Sequence, residues 1–252
     1  VTCIDIYYSD KDNFAADREA AEKVAEALPS MPLIARAGRR FLIDAVHQLA
    51  QDRGIRQFLD IGTGLPTAGS THEVAQRVAP ECRVVYVDND PVVISHARAL
   101  LVGSPQGQTD YIRADLRDTG TVVAGAARTL DLGRPVAVLL VAVLHFIPDA
   151  DDPYAVVARL MDAMAPGSYL VIGHAAGNVR PGAVTAAAGR YNERSSAPIT
   201  LRNRDQVSRF FDGLELTGPG VVPLGRWWGP DQAGGGADGG QLPGYCGIGV
   251  KR

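Results

Sequence analysis

Gln57-Phe58-Leu59-Asp60-Ile61-Gly62-Thr63-Gly64 runs an apolar strand into a glycine turn, and Val84-Val85-Tyr86-Val87-Asp88 is a second strand that ends in a carboxylate. The pair reads as a nucleoside-binding edge. Glycines at 62 and 64 permit backbone angles and close ligand approaches that a β-carbon would block, and Asp88 can accept hydrogen bonds from two ribose hydroxyls. From Phe58 onward, β-branched runs alternate with helical patterns, which is what a parallel sheet covered by helices requires. Apolar runs bounded by Gly, Pro, Asp or Asn predict strands at 57–61, 83–88, 109–113, 135–141 and 168–173. Helices are predicted over Thr71 to Val78, Pro91 to Leu101 and Pro153 to Met164, the last two starting with a proline behind Asp90 and Asp152. The fold class is α/β and Rossmann-like.

The glycine turn is not that of a dinucleotide enzyme. The G-x-G-x-x-G pattern fails at Thr67, and Pro66 stands where a helix would present N–H donors to a pyrophosphate. A nucleoside cofactor without a pyrophosphate does not need those donors, and S-adenosylmethionine is one. Its amino-acid tail needs close backbone approach, which Gly62 and Gly64 supply, and its ribose needs a carboxylate, which Asp88 supplies. Asp115, in Arg113-Ala114-Asp115-Leu116, is placed to accept from the adenine amino group. Asp60 can order the loop or meet the ammonium of the tail, and Asn89 and Leu116 complete the expected cofactor set.

Lys11-Asp12-Asn13-Phe14, the run Gln57 to Thr67, Val84 to Val92 and Pro135 to Pro148 together resemble an actinomycete family of S-adenosylmethionine-dependent methyltransferases, formerly a domain of unknown function. The resemblance covers nearly the whole chain. It implies the class I methyltransferase fold, with seven strands and the last antiparallel, and cofactor contacts at Gly62, Gly64, Asp88 and Asp115. It supplies no substrate. Similar chains usually carry Gly-Gly before Lys-Asp-Asn, where Ser9 and Asp10 stand here, and this departure leaves the role of the stretch to Asn13 open.

Ala15 to Ala27 and Ala35 to Gln51 read as amphipathic helices separated by Pro29 and Pro32, giving an N-terminal helical cap or lid over 1–54. The cofactor-binding domain then spans 55–252, as one structural unit with the cap. Within it, an Ala- and Gly-rich insertion over 175–200 precedes a helical period from Asn203 to Phe211. Two last strands are predicted at Leu214 to Val222 and Tyr245 to Lys251, with a glycine-rich connection over 229–243 expected to be mobile.

His145, in Val143-Leu144-His145-Phe146, follows the fourth strand at the edge where the methyl group should lie, and a general base belongs there. A structural role competes with that one. Asn13, His174, Tyr191 and Asn192 are substrate-facing candidates. Asp149, Asp151 and Asp152 form an acidic run, but Asp152 before Pro153 reads as a helix cap, and no metal is expected. Asp152-Pro153-Tyr154 lacks one proline of the signature used by adenine-N6 methyltransferases, which disfavours nucleobase methylation. Arg202, Arg204 and Arg209 read as a solvated basic helix face, and Trp227 and Trp228 as either a substrate stack or an edge of the core.

With 252 residues, 46% hydrophobic and 21% charged, the chain can bury a large core. A net charge of −3 and a pI near 6.0 give no general field for nucleic acid. Cys3, Cys82 and Cys246 lie far apart without C-x-x-C spacing, which fits free thiols in a reducing compartment. With no membrane-spanning apolar run and no signal pattern in Val1 to Tyr8, a cytoplasmic protein without membrane partners is expected. The function expected is methyl transfer from S-adenosylmethionine to a small-molecule O or N acceptor, with S-adenosylhomocysteine as product. The alternative is a non-catalytic nucleoside or cofactor sensor of the same fold. A nicotinamide oxidoreductase is disfavoured by Pro66 and Thr67.

Overall fold

The computed structural model of the chain describes residues 15–65, 69–100, 103–193, 197–227 and 242–252. Strands β1 (Gln57–Ile61), β2 (Arg83–Asp88), β3 (Gln108–Arg113), β4 (Ala137–Val141) and β5 (Tyr169–Ala175) are parallel and stand in the order 3-2-1-4-5. Their short apolar runs are buried on both faces, as parallel strands between helical layers must be. The side-chain alternation divides them cleanly. Leu59, Ile61, Val138 and Leu140 face one core, and Phe58, Ala137 and Leu139 face the other.

Helices α2 (Met31–Asp52), α3 (Thr71–Val78) and α4 (Pro91–Leu100) cover the second of these faces, with Phe41, Ala45, Val46, Val74 and Ile94 in its core. On the first face lie α5 (Thr119–Ala126), α6 (Pro153–Asp162) and α8 (Arg204–Ser208), through Val122, Val156, Leu160 and Val207. Each such fully buried aliphatic side chain stabilises the fold by about 1.5–3 kcal/mol relative to exposure. The remaining helices, α1 (Ala15–Ala27) and α7 (Pro181–Asn192), pack on each other through Val24, Leu28, Val184 and Ala187. Pro32 does not delimit α2 as expected. It sits in the first turn of the helix, where its missing N–H costs nothing.

The C-terminal part departs from expectation in strand count. The span Leu214 to Val222 is not one strand but two short ones, β6 (Glu215–Leu216) and β7 (Val222–Pro223). Gly218 and Gly220, at φ of 59° and 73°, turn the chain between them. Both pair antiparallel with β8 (Gly244–Val250), which itself lies antiparallel to β5, so the sheet has eight strands and β8 is interior, not an edge. Phe211 and Val221 pack close over Gly247, which has no room for a β-carbon without their shifting. No helix among the described residues is long and apolar enough to cross a membrane.

Candidate active site

Strand order reverses between β1 and β4, and at such a switch point the connecting loops diverge to leave a crevice at the carboxyl ends of the strands. A cleft of about 220 Å³ opens there. Its lining includes Asp60 within β1 and Gly62, Thr63 and Gly64 after it, Asp88 at the end of β2 with Asn89 beyond, and Asp115, Leu116 and Arg117 after β3. The residues named from the sequence as a cofactor set therefore converge on one cavity. Asn13 lies outside the described residues, as do Ser9, Asp10, Pro66, Thr67, Trp228 and most of the glycine-rich connection.

The turn is built by its neighbours. Gly62 continues the ladder by donating from its N–H to the Val87 carbonyl at 2.8 Å, then both Gly62 and Gly64 take positive φ, 74° and 64°. At Gly62 the crowding comes from the protein. A β-carbon there would lie 2.5 Å from Val143 Cγ2 and 2.6 Å from Val143 Cβ, so glycine lets the loop after β4 close on the loop after β1. Asp88 locks the turn: Oδ2 accepts from the Gly64 N–H at 3.1 Å and Oδ1 from the Asp90 N–H at 2.9 Å. Each oxygen keeps a further lone pair for a ligand. Burial raises the Asp88 pKa against the pull of these N–H donors.

Asp60 is a buried carboxylate inside a hydrophobic strand. Its Oδ2 accepts from Thr71 Oγ1 at 2.6 Å, and burial pushes its pKa up to about 6 against the hydroxyl and the nearby positive charge of Arg39. Arg39 also lines the cleft, and sequence reading passed over it as part of a helical cap. The only signal was its place in an Arg39-Arg40 pair on an otherwise amphipathic helix. Asp115 is engaged by a neighbour. Its Oδ1 accepts from the Arg117 N–H and Nε at 2.9 and 3.0 Å, and its Oδ2 from Arg117 Nη2 at 2.6 Å, which lowers its pKa. Arg117 reaches on to Asp151 at 2.8 Å.

A second cavity, of about 130 Å³, adjoins the first and has a different character. Its walls come from Val24 of α1 and Leu28 just beyond it, Met31 and Ile34 of α2, Val184 and Ala187 of α7, and the ends of β4 and β5. The two cavities share Gly38, Val141, Ala142 and Phe146. Ala142 holds φ at 61°, a conformation that strains any residue with a β-carbon, and its N–H is tied to the Gly173 carbonyl at 2.9 Å. The strained residue stands in the shared wall.

His145, His174 and Tyr191 line this second cavity, whereas Asn192 lines neither. Asn192 instead clips the backbone of Ile199, accepting at 2.6 Å and donating at 3.2 Å. His145 is buried, its Nδ1 lacks a hydrogen-bond partner, and burial, aided by the charge of Arg202, lowers its pKa to about 4. It is therefore neutral at pH 7. His174 is fixed in one tautomer: Arg202 donates to its Nε2 at 2.9 Å, so Nδ1 carries the proton and donates to the Ala175 carbonyl at 2.8 Å.

Arg202 corrects the reading of a solvated basic face. Its side chain has 0% exposure, while Arg204 and Arg209 are exposed. All five of its N–H donors are used: Leu144 O at 3.1 Å, His174 Nε2 at 2.9 Å, Ile147 O at 2.8 Å, and Asp149 Oδ1 from Nε at 3.2 Å and Nη2 at 2.6 Å. The residue clamps the loop that carries His145 and Phe146. The acidic run is likewise committed, Asp149 to Arg202, Asp151 to Arg117, and Asp152 to the cap of α6 through the Ala155 N–H. Trp227 meets Phe41 of α2 edge-on at 4.9 Å and so packs on the core.

A 3-2-1-4-5 parallel sheet with an antiparallel strand beyond β5, and a glycine turn and acidic strand end at its switch point, defines a class I S-adenosylmethionine-dependent methyltransferase. The chain belongs to the S-adenosyl methyltransferase family, whose model matches residues 3–252. It is similar to a DUF574 family protein from Streptomyces avermitilis, at 39% identity, TM-score 0.95, and coverage of 99% of this chain and 96% of that one. A methyltransferase candidate from Thermobifida fusca matches at 37% identity and TM-score 0.89, over 99% and 93% of the two chains. The fold also matches magnesium protoporphyrin IX methyltransferase from Synechocystis with bound S-adenosylhomocysteine, at 13% identity, TM-score 0.57, and 99% and 93% coverage. No curated protein matches the sequence. S-adenosylmethionine is thus the cofactor of this enzyme.

Proposed function

We propose that the enzyme methylates an oxygen or nitrogen of a small molecule held in the second cavity. The observation that carries this reading is the shared wall: a polar cleft and an apolar cavity meet at Gly38, Val141, Ala142 and Phe146. The cleft's residues fit the cofactor. Asp88 keeps lone pairs that suit a ribose, with Asn89 beside it, and Asp115 and Leu116 in the same lining would meet the adenine. Asp60 and Arg39 suit the ammonium and carboxylate of the amino-acid tail, since they already feel each other's charge. Gly62 and Gly64 keep the turn low enough for that tail to approach.

When bound, the cofactor would supply a methyl group on a positive sulfur, with that sulfur as the leaving group for an acceptor lone pair. Alignment of the acceptor is then the main task of the protein. The proton released by an acceptor hydroxyl or amine passes to neutral His145, whose low pKa makes it a weak base that does not hold a proton in the resting state. His174 and Arg202 act through the loop, holding His145 and Phe146 in place. Helices α1 and α7, within the 1–54 cap and the 175–200 insertion, close over the acceptor.

The test is incubation with methyl-labelled cofactor and a fractionated extract of small metabolites, followed by mass spectrometry. Label in a low-molecular-weight product, absent with Asp88→Ala, supports the reading. Label confined to protein or nucleic acid would sink it.

A further inference from the structure

The second cavity has no ionised side chain in its described lining. Its polar members are His145, His174 and Tyr191, and the rest are aliphatic side chains, Phe146, or backbone. Both imidazoles stay neutral, His145 through burial and His174 because Arg202 donates to its bare Nε2. The nearest buried cation cannot help an anionic ligand. Arg202 has spent all five donors, and Asp149 answers its charge. A carboxylate or ammonium entering here would lose its hydration with no counter-charge in return, which costs several kcal/mol.

Size adds a second limit. The cavity volume is about 130 Å³. A dry protein cavity of about 150 Å³ lined by aliphatic and aromatic side chains takes one benzene ring. A body larger than one ring would have to extend beyond that space.

Resting on the methyl-transfer reading, we infer that the acceptor is an uncharged molecule that seats a single-ring-sized apolar body between α1, α2 and α7 and turns a hydroxyl or amine toward Ala142 and Phe146. His145 lines the same cavity and has no hydrogen-bond partner at its buried Nδ1, whereas His174 is bound at both ring nitrogens. Specificity therefore comes from exclusion of charge and bulk more than from a set of polar contacts.

The experiment uses the full chain saturated with S-adenosylhomocysteine, whose own binding is measured first by calorimetry. Saturation-transfer NMR then compares 4-methylphenol with its charged counterparts of similar size, 4-hydroxybenzoate and tyramine. The expected result is binding of 4-methylphenol at least about tenfold tighter than either charged probe, from the desolvation cost. Ala187→Phe, which fills the cavity, and Ala188→Leu, a milder filling at a half-buried position, should each abolish the 4-methylphenol signal and leave S-adenosylhomocysteine affinity within about threefold. Equal binding of 4-hydroxybenzoate, or no ring binding by a protein that does bind S-adenosylhomocysteine, would overturn the inference alone. Ring binding without any S-adenosylhomocysteine binding would instead overturn the methyl-transfer reading, and the acceptor role with it.

Discussion

The cleft and the cavity meet across one wall yet are built by opposite means. The cleft takes its carboxylates from the ends of three adjacent strands, each in or just after its own apolar run, and adds Arg39 from α2. The cavity gathers aliphatic side chains from α1, α2, α7, β4 and β5, which are distant in sequence. A ligand gripped by hydrogen bonds needs donors and acceptors at set places, and strand ends supply them. An apolar body needs only shape and dryness, which many combinations of side chains provide. The difference also divides the charge: carboxylates and arginines line the cleft, and the described lining of the cavity carries no ionised side chain.

The largest disturbance should come from Arg202, which ties the shared wall together. Arg202→Met leaves two buried carbonyls and His174 without their donor and should cost about 3–5 kcal/mol in urea denaturation, since each buried acceptor left unpaired costs about 1–3 kcal/mol. Gly62→Ala comes next. Its methyl would meet Val143 at a positive φ, for a loss of about 2–4 kcal/mol and a matching fall in melting temperature.

His145, one of two histidines lining the cavity, gives a pH signature. His145 titrates near 6.5 when unfolded and at about 4 when folded, so the unfolded chain binds the extra proton first and stability is lost as pH falls from 6.5 to 4. His145→Phe should lack this component, and its loss between those pH values should be smaller than wild type by about 3 kcal/mol. The cleft responds in its own way and more weakly. Asp60, with its pKa near 6, must be ionised to meet an ammonium, so S-adenosylhomocysteine affinity should fall about tenfold from pH 7 to pH 5. Asp88, also raised by burial, acts in the same direction. In Asp60→Asn the pH dependence should flatten.

The same contrast explains what could be read in advance. β1 and β2 have the predicted bounds, because their apolar runs stop at Gly62 and Asp88. Strand ends and the family resemblance together name Asp60, Gly62, Gly64, Asp88, Asn89, Asp115 and Leu116, all of which line the cleft. The sequence does not separate β6 from β7, because it shows glycines but not which of them turn the chain to positive φ. Arg202 was misplaced because a buried arginine looks like any other until Leu144, Ile147, Asp149 and His174 are brought to it. The cavity itself had no local signature, as its walls become neighbours only when α1 and α7 pack.

Calorimetric titration of S-adenosylhomocysteine into the wild type and Asp88→Asn at pH 7 tests the central claim most directly. The substitution keeps an oxygen for the turn and removes the charge that strengthens the ribose bonds. Saturable one-to-one binding to the wild type, weakened at least about tenfold in Asp88→Asn, is the predicted result. Equal affinity in the two proteins, or no binding to the wild type, would contradict it.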